Sequence, residues 1–246
     1  MSDDDAHERH RGPAPKDAQL FAPERLEALR TATSELAWLL ERGYASPSAL
    51  KLVGDRHALT ARQRAAIERA AVPEPVARAR RDKRVGLEAL RDRALAIDGF
   101  NVLIVGESAL SGAPLFVGRD TAVRDLGGVH GSWHRVAETD RVLAALAALL
   151  VTHGCREVRV LLDAPVSNSG RLRARLEETM AREAPALPCS VTLAPNADEA
   201  LRDHTDAIVA SADGVVIDHA SEWIELVRPI ATHARATPWW VELGGD

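Results

Sequence analysis

The sequence has few cysteines. Only Cys155 and Cys189 occur among its 246 residues, and they form no C-x-x-C pair. A disulfide framework or a cysteine-rich zinc site is therefore not expected to hold the fold together. Sparse, unpaired cysteines are typical of proteins in a reducing compartment, so we expect this chain to be cytoplasmic.

Long apolar runs and an excess of positive charge are also missing. No run approaches the roughly 20 apolar residues that span a bilayer, and the N-terminus lacks the regions of a secretory signal, so we expect no membrane partner. The net charge of -5 argues against binding nucleic acid by bulk charge, so any RNA path must be local. Neither G-x-G-x-x-G nor G-x-x-x-x-G-K-[ST] occurs, so no motif supports a dinucleotide fold or a P-loop NTPase.

The first 85 residues divide into two parts. Residues 1–20 are polar and interrupted by Pro13 and Pro15, which predicts a disordered tail. Residues 21–85 carry leucines at helical spacing and predict a small helical module. Its expected helices cover residues 23–44, 46–53 and 60–71.

From residue 86 to 246, short aliphatic runs alternate with helical patterns. The predicted strands cover residues 94–98, 157–162, 189–194 and 207–211, and the predicted helices 137–152, 169–184 and 197–205. This alternation indicates an α/β domain with a mostly parallel, Rossmann-like sheet flanked by helices. Residues 100–110 favour a further helix, and the glycine-rich stretch 112–136 is read as an insertion with a short hairpin.

Aspartates follow several of the predicted strands. Asp98 and Asp163 each end a strand, and Asp213 follows another by two residues. A parallel sheet would bring all three to one edge, where mutual repulsion would raise a pKa unless a cation were bound. Carboxylate oxygens suit Mg²⁺ or Mn²⁺, so we expect a shared metal site that Asp198 or Asp218 completes. Taken singly, each aspartate is also ordinary turn chemistry.

Polar residues near these acids are candidates for substrate binding. Asn101 would point back toward the sheet edge and hold a carboxylate or phosphate oxygen, although helix capping explains it nearly as well. Ser167, Asn168 and Ser169 precede a helix that begins near Arg171, and such a helix start suits a phosphate. Ser169 as a simple helix cap is the competing interpretation.

Two groups of arginines offer charge for a polyanion. They are Arg62, Arg64, Arg69, Arg78, Arg80, Arg81 and Arg84 with Lys83 in the helical module, and Arg171, Arg173 and Arg175 beside the serine turn. Arg171 is the preferred candidate of the second group. A solvated surface is the default explanation for both groups.

Three short motifs together resemble the PIN-like nucleases, particularly their NYN branch. The motifs are strand-Asp-Gly-x-Asn at 97–101, Asn-Ala-Asp-Glu-Ala-Leu at 196–201 and Ser-Ala-Asp-Gly at 211–214. The resemblance covers about residues 92–220 and matches Asp98, Asn101, Asp198 and Asp213 to family positions. It implies a Rossmann-like sheet whose clustered acids bind Mg²⁺ or Mn²⁺ and hydrolyse RNA phosphodiesters.

The chain departs from that family at two places. The second acid of the last motif falls on Val215, which cannot bind metal, and Asp218 replaces it only if the backbone turns suitably. Segment 161–170 has no counterpart in ordinary PIN nucleases. Together with segments 49–56 and 59–64, it resembles an uncharacterised prokaryotic family with a helical leader.

The leading hypothesis is therefore a metal-dependent ribonuclease with Asp98, Asp163 and Asp213 as principal ligands and RNA as its partner. A non-catalytic RNA-binding or scaffold protein with a degenerate site is the alternative, motivated by Val215. A phosphatase or nucleotide hydrolase that uses Asp163 near the turn at 167–170 is a third hypothesis. A homodimer is left open.

Overall fold

The computed structural model describes residues 10–127 and 131–244. Its helices are α1 Asp17–Leu20, α2 Pro23–Glu41, α3 Ser46–Arg56, α4 Ala61–Ala70, α5 Glu74–Asp82, α6 Gly99–Leu110, α7 Thr139–Thr152, α8 Ser169–Glu183, α9 Ala197–Leu201, α10 Gly214–His219 and α11 Val227–His233, with a 3-10 helix at Leu87–Leu90. Its strands are β1 Ala94–Asp98, β2 Pro114–Val117, β3 Val123–Arg124, β4 Glu157–Asp163, β5 Cys189–Ala194, β6 Ile208–Ala210, β7 Trp223–Ile224 and β8 Trp239–Glu242.

The central sheet has five parallel strands in the order β5-β4-β1-β6-β7. In order of appearance along the chain, these are the third, second, first, fourth and fifth strands of the sheet, as in Rossmann folds. The predicted fold class, a mostly parallel sheet flanked by helices and preceded by a helical region, is confirmed. The chain first builds outward from β1 to β5 and then crosses to β6. The topological switch point therefore lies between β1 and β6.

Strand β1 is buried along its whole length because helices cover both faces of the sheet. Leu95 and Ile97 belong to a large apolar cluster with side chains of α6, α7 and α8. Ala94 and Ala96 belong to another cluster, with side chains of α9 and α10. Burial on both faces explains why β1 is a continuous apolar run.

A small second sheet joins the helical region to the rest of the chain. Its strand order is β3-β2-β8, with β2 and β3 forming the predicted hairpin. Phe116 of β2 and Val241 of β8 are buried in one cluster with Leu29 and Ile67 of the helical region. Phe21 contacts Phe116 edge-on, with ring centroids 4.8 Å apart. A shared apolar core therefore crosses the sequence boundary predicted near residue 85.

A buried ionic network also connects the two regions. Arg80 of α5 donates from Nη1 to Asp120 at 2.7 Å and from Nε to Asp218 at 2.7 Å. Asp120 is fully buried and also accepts from both terminal nitrogens of Arg124, at 2.9 and 2.7 Å. Burial opposes ionisation of Asp120, but Arg124 and Arg80 hold its pKa below the ordinary value. The network therefore joins α5, the β2–β3 loop and α10.

The tail prediction is corrected for the part of residues 1–20 that the structure describes, which is 10–20. Asp17, in α1, is fully buried, pairs with Arg62 and accepts from the backbone N–H of Ala14 at 2.8 Å. Arg11 pairs with the buried Glu107. The composition argument considered only apolar burial and missed these ionic contacts. Residues 1–9 lie outside the described residues.

Most predicted elements of the α/β region are found, with shifts at their ends. Strands β1 and β5 have the expected bounds, and the expected helix over 100–110 is α6. The helix expected over 197–205 ends at Leu201. Within the described ranges, no helix combines the length and apolarity needed to cross a membrane.

The ionic network yields a stability prediction. Replacing Arg80 by alanine leaves Asp120 with one cationic partner instead of two, so we expect a loss of about 3 kcal/mol of unfolding free energy. Urea denaturation measures the loss. Arg78→Ala is the matched control, because Arg78 is exposed on the same helix, and its effect should stay within about 0.5 kcal/mol. Equal urea midpoints for the two variants would contradict the role given to Arg80.

Candidate functional site

Four of the predicted aspartates lie together at the carboxyl edge of the central sheet. Asp98 ends β1, Asp163 ends β4, Asp198 lies in the first turn of α9, and Asp213 precedes α10. All four line one cavity of about 210 Å³, together with Asn101. The cavity lies beyond the ends of β1 and β6, at the switch point where Rossmann-like sheets bind ligands.

Asp98 is held in place from two sides. Its Oδ2 accepts a hydrogen bond from the Ser211 hydroxyl at 2.8 Å, and its Oδ1 accepts from the backbone N–H of Asn101 at 3.3 Å. The next residue, Gly99, packs against β4, because a Cβ there would lie 2.5 Å from a methyl carbon of Leu162. Asp98-Gly99 is thus a strand-to-helix junction that requires glycine for close packing.

The side chain of Asn101 joins the ends of β1 and β6. Its Oδ1 accepts a hydrogen bond from the backbone N–H of Ala212 at 2.8 Å. Sequence reasoning offered ligand binding or capping for Asn101, but this oxygen holds the neighbouring loop instead. The amide therefore fixes where the chain after β6 enters the cavity.

Asp163 and Asp213 each use one carboxylate oxygen to fix backbone. Asp213 Oδ1 accepts from the N–H groups of Val215 and Val216, at 2.7 and 3.3 Å, and so caps α10. Asp163 Oδ1 accepts from the N–H of Ala197 at 2.8 Å. Within residues 10–127 and 131–244, the second oxygens of these two carboxylates have no hydrogen-bond partner.

The cavity is unfavourable for uncompensated negative charge. Burial raises the pKa of Asp98 to about 7, against the partly compensating hydrogen bond from Ser211, and the charges of Asp198 and Asp213 add to the rise. Burial also raises the pKa of Asp198, and Asp213 and Asp163 add repulsion there. Burial and neighbouring carboxylates thus disfavour the ionised forms of Asp98 and Asp198.

The donor atoms of the cavity suit a hard divalent cation, since carboxylate oxygens are its preferred ligands. Yet in the described part of the chain no three His, Cys, Asp or Glu side chains are placed closely enough to hold a metal ion. The two observations agree for Mg²⁺, which keeps several waters and often binds one or two carboxylates directly. The carboxylates thus fit a hydrated ion better than a closed protein cage.

Asp218 does not join the acids. Its two carboxylate oxygens accept from Nε and Nη2 of Arg80, at 2.7 and 2.8 Å. The sequence-based idea that Asp218 replaces the acid missing at Val215 is therefore wrong for this arrangement. Val215 itself is 50% exposed at the start of α10. The backbone after Asp213 forms helix α10, which places Asp218 next to Arg80.

The four residues predicted to bind phosphate do not line the cavity of the four aspartates, which we call the acid cavity. They are Ser167, Asn168, Ser169 and Arg171. Asn168 donates from Nδ2 to the carbonyl of Trp133 at 2.9 Å, and Ser169 is buried with its hydroxyl 3.4 Å from the carbonyl of Ala164. Ser167 pairs through its backbone with Ser132, and Arg171 is exposed. Ser167, Asn168 and Ser169 therefore hold the loop before α8.

Sequence reasoning did not single out three residues at or beside the cavity. Asp125 and Arg69 line it, and Ser211 holds Asp98. Asp125 is buried and accepts from the Ser108 hydroxyl at 2.6 Å. Arg69 was one of many arginines in the helical region, and nothing in its spacing distinguished it. The Ser211 position was visible in the motif at 211–214, but its contact with Asp98 depends on the pairing of β1 with β6.

The comparisons with known proteins concern both regions. The family described as Protein of unknown function (DUF434) matches residues 28–83, and that described as Domain of unknown function (DUF5616) matches residues 87–229. An uncharacterized protein of Methanocaldococcus jannaschii is 28% identical over 190 residues, 77% of this chain and 89% of that protein. No solved structure matches the chain. Because the match at 87–229 covers more than half of the chain, this protein belongs to the family described as Domain of unknown function (DUF5616).

Proposed function

We propose that this protein is a metal-dependent ribonuclease that hydrolyses RNA phosphodiesters at the acid cavity. The observation that carries the proposal is the convergence of Asp98, Asp163, Asp198 and Asp213 on one cavity at the sheet's switch point. The resemblance of the motifs around these residues to PIN-like nucleases supports the choice of RNA. Two free cysteines agree with a cytoplasmic site of action.

In the proposed reaction the acids bind and orient, and no protein nucleophile is required. Asp98, Asp163, Asp198 and Asp213 would hold a hydrated Mg²⁺ or Mn²⁺, with one or two of these carboxylates bound directly and the others through its waters. When bound, the ion lowers the pKa of a coordinated water and neutralises charge on the scissile phosphate. Ser211 holds the Asp98 carboxylate, and Asn101 holds the loop after β6. Both groups are therefore in position before a substrate binds.

A second candidate function is RNA binding without catalysis. It is favoured by the exposed Val215 where the PIN-like motif carries an acid, and by the spacing of the carboxylates in the described residues. A protein of this kind would bind RNA equally well with and without EDTA. It would show no turnover with Mg²⁺ or Mn²⁺.

The activity prediction concerns Asp98. Wild-type protein should cleave a mixed RNA pool in Mn²⁺ and not in EDTA. Asp98→Asn should lower the rate about a hundredfold, a loss typical of removing one group that stabilises transition-state charge. Gel analysis of labelled RNA gives the rates. Asp203→Asn, an exposed carboxylate that does not line the cavity, is the control and should cleave like wild type. Equal rates for wild type and Asp98→Asn would rule out the proposed site.

The raised pKa of Asp98 predicts how pH and metal affect stability. Its pKa is about 7 in the folded state against an ordinary value of 3.8, so the folded state binds the proton more tightly. This stabilising contribution is complete below pH 3.8 and is lost as pH rises through about 7. The metal-free protein should therefore lose a few kcal/mol of unfolding free energy across this range.

Mn²⁺ should restore that loss where Asp98 is ionised. We expect Mn²⁺ to raise the Tm more at about pH 8 than at about pH 5.5, where a proton already neutralises the carboxyl group. Asp98→Asn should raise the Tm of the metal-free protein at about pH 8 and should remove most of the Mn²⁺ effect. Thermal scans at both pH values measure this. A Mn²⁺ shift of the same size in the variant would show that the ion binds elsewhere.

A further inference from the structure

Arg69 of the helical region lines the acid cavity. Five aspartates line the same cavity, including Asp98, Asp163 and Asp213. Its side chain is exposed, and within the described ranges it has no hydrogen-bond or ion-pair partner. Most other arginines of the helical region are engaged, for example Arg62 with Asp17. The guanidinium of Arg69 is thus available to an incoming anion.

The position of Arg69 is fixed by its neighbours. It lies in the last turn of α4, next to Ala70, which is buried with Ile67 against Phe116 of β2. The carbonyl of Ala70 accepts a hydrogen bond from the backbone N–H of Arg119 at 3.1 Å. The end of α4 is therefore anchored to the α/β region, and Arg69 is presented to the cavity from a rigid element.

A larger cleft of about 490 Å³ opens directly beside the acid cavity. The two share Arg69, Asn101 and Asp213 among their lining residues, so they form one continuous depression. One wall of the cleft comes from the helical region and includes the apolar side chains of Val72 and Val76. Its volume lies within the range of pockets that hold small ligands.

We propose that Arg69 binds a phosphate oxygen of RNA next to the acid cavity, and that the adjoining cleft holds the neighbouring nucleotide. This inference rests on the proposed function and names how that site would recognise its substrate. A guanidinium fork matches a phosphate bidentately, and its charge offsets the repulsion between RNA and the aspartates. The wall with Val72 and Val76 offers apolar side chains against which a base can pack. The helical and α/β regions would then build one active site together.

The first test measures RNA binding. A short single-stranded RNA with a fluorophore at one end is titrated with protein, with Ca²⁺ in place of Mn²⁺ to slow turnover. Anisotropy should show binding about tenfold weaker for Arg69→Ala, the cost of one charge-assisted hydrogen bond. The slope of log affinity against log salt should also fall by about 0.7, as expected when one phosphate contact to a single strand is lost. Arg69→Lys should recover part of the affinity because it keeps the charge but not the fork.

Two controls separate this inference from the ribonuclease proposal. Arg25→Ala removes an exposed arginine of the helical region that lines neither cavity, and it should bind RNA like wild type. The Tm shift caused by Mn²⁺ should persist in Arg69→Ala, because the carboxylates are intact. Binding and salt slope unchanged in Arg69→Ala would overturn the role of Arg69, even if wild type cleaves RNA. Weaker binding in Arg69→Ala, with no cleavage by wild type, would support Arg69 and overturn the nuclease. Absence of RNA binding in wild type would overturn both.

Discussion

The pairing of Arg80 with Asp120 and Asp218 is the interaction on which the site depends. The same guanidinium also donates to the carbonyl of Gly214 at 3.1 Å, and a Cβ at Gly214 would lie 2.6 Å from Nη2 of Arg80. Gly214 thus leaves room for the guanidinium next to Asp213, and Arg80 holds α10 both at its first residue and at Asp218. Because Asp213 caps α10, the ionic network of the helical region sets where this acid enters the cavity.

The acid cavity illustrates a conflict between burial and charge. Asp98, Asp163 and Asp213 accept hydrogen bonds from backbone N–H groups or a hydroxyl, but burial raises the pKa of Asp98, and the charges of Asp198 and Asp213 add to the rise. Strongly perturbed carboxyl groups are common at functional sites, where a ligand can neutralise them. A hydrated divalent cation is such a ligand, because it prefers carboxylate oxygens. The charge that destabilises the cavity is thus the same charge that a cation would neutralise in the proposed function.

The two regions of the chain are joined by apolar packing as well as by ions. Phe116 and Val241 of the small sheet are buried in the core of the helical region. Arg80 of the helical region pairs with the buried Asp120 of the α/β region. Their junction also forms the cleft that adjoins the acids. Clefts between packed regions are frequent ligand sites because each side contributes a different set of side chains. Here the α/β region contributes three aspartates, and the helical region contributes Arg69, Arg80 and the apolar side chains of Val72 and Val76.

The sequence alone predicted the first four strands of the central sheet and the helices between them, since apolar runs and helical periodicity are local properties, but it did not predict β7, β8, α10 or α11. It also placed Asp98, Asp163 and Asp213 at one edge, because parallel strands bring their carboxyl ends together, and it left open whether Asp198 or Asp218 completes the site. Only the tertiary structure decided the partners of these groups. Asp218 pairs with Arg80, and Asn168 of the serine turn bonds to the loop beside it. Arg69, from a distant segment of the chain, lines the cavity of the aspartates. Such contacts depend on how separate elements pack, which local patterns along the chain do not encode.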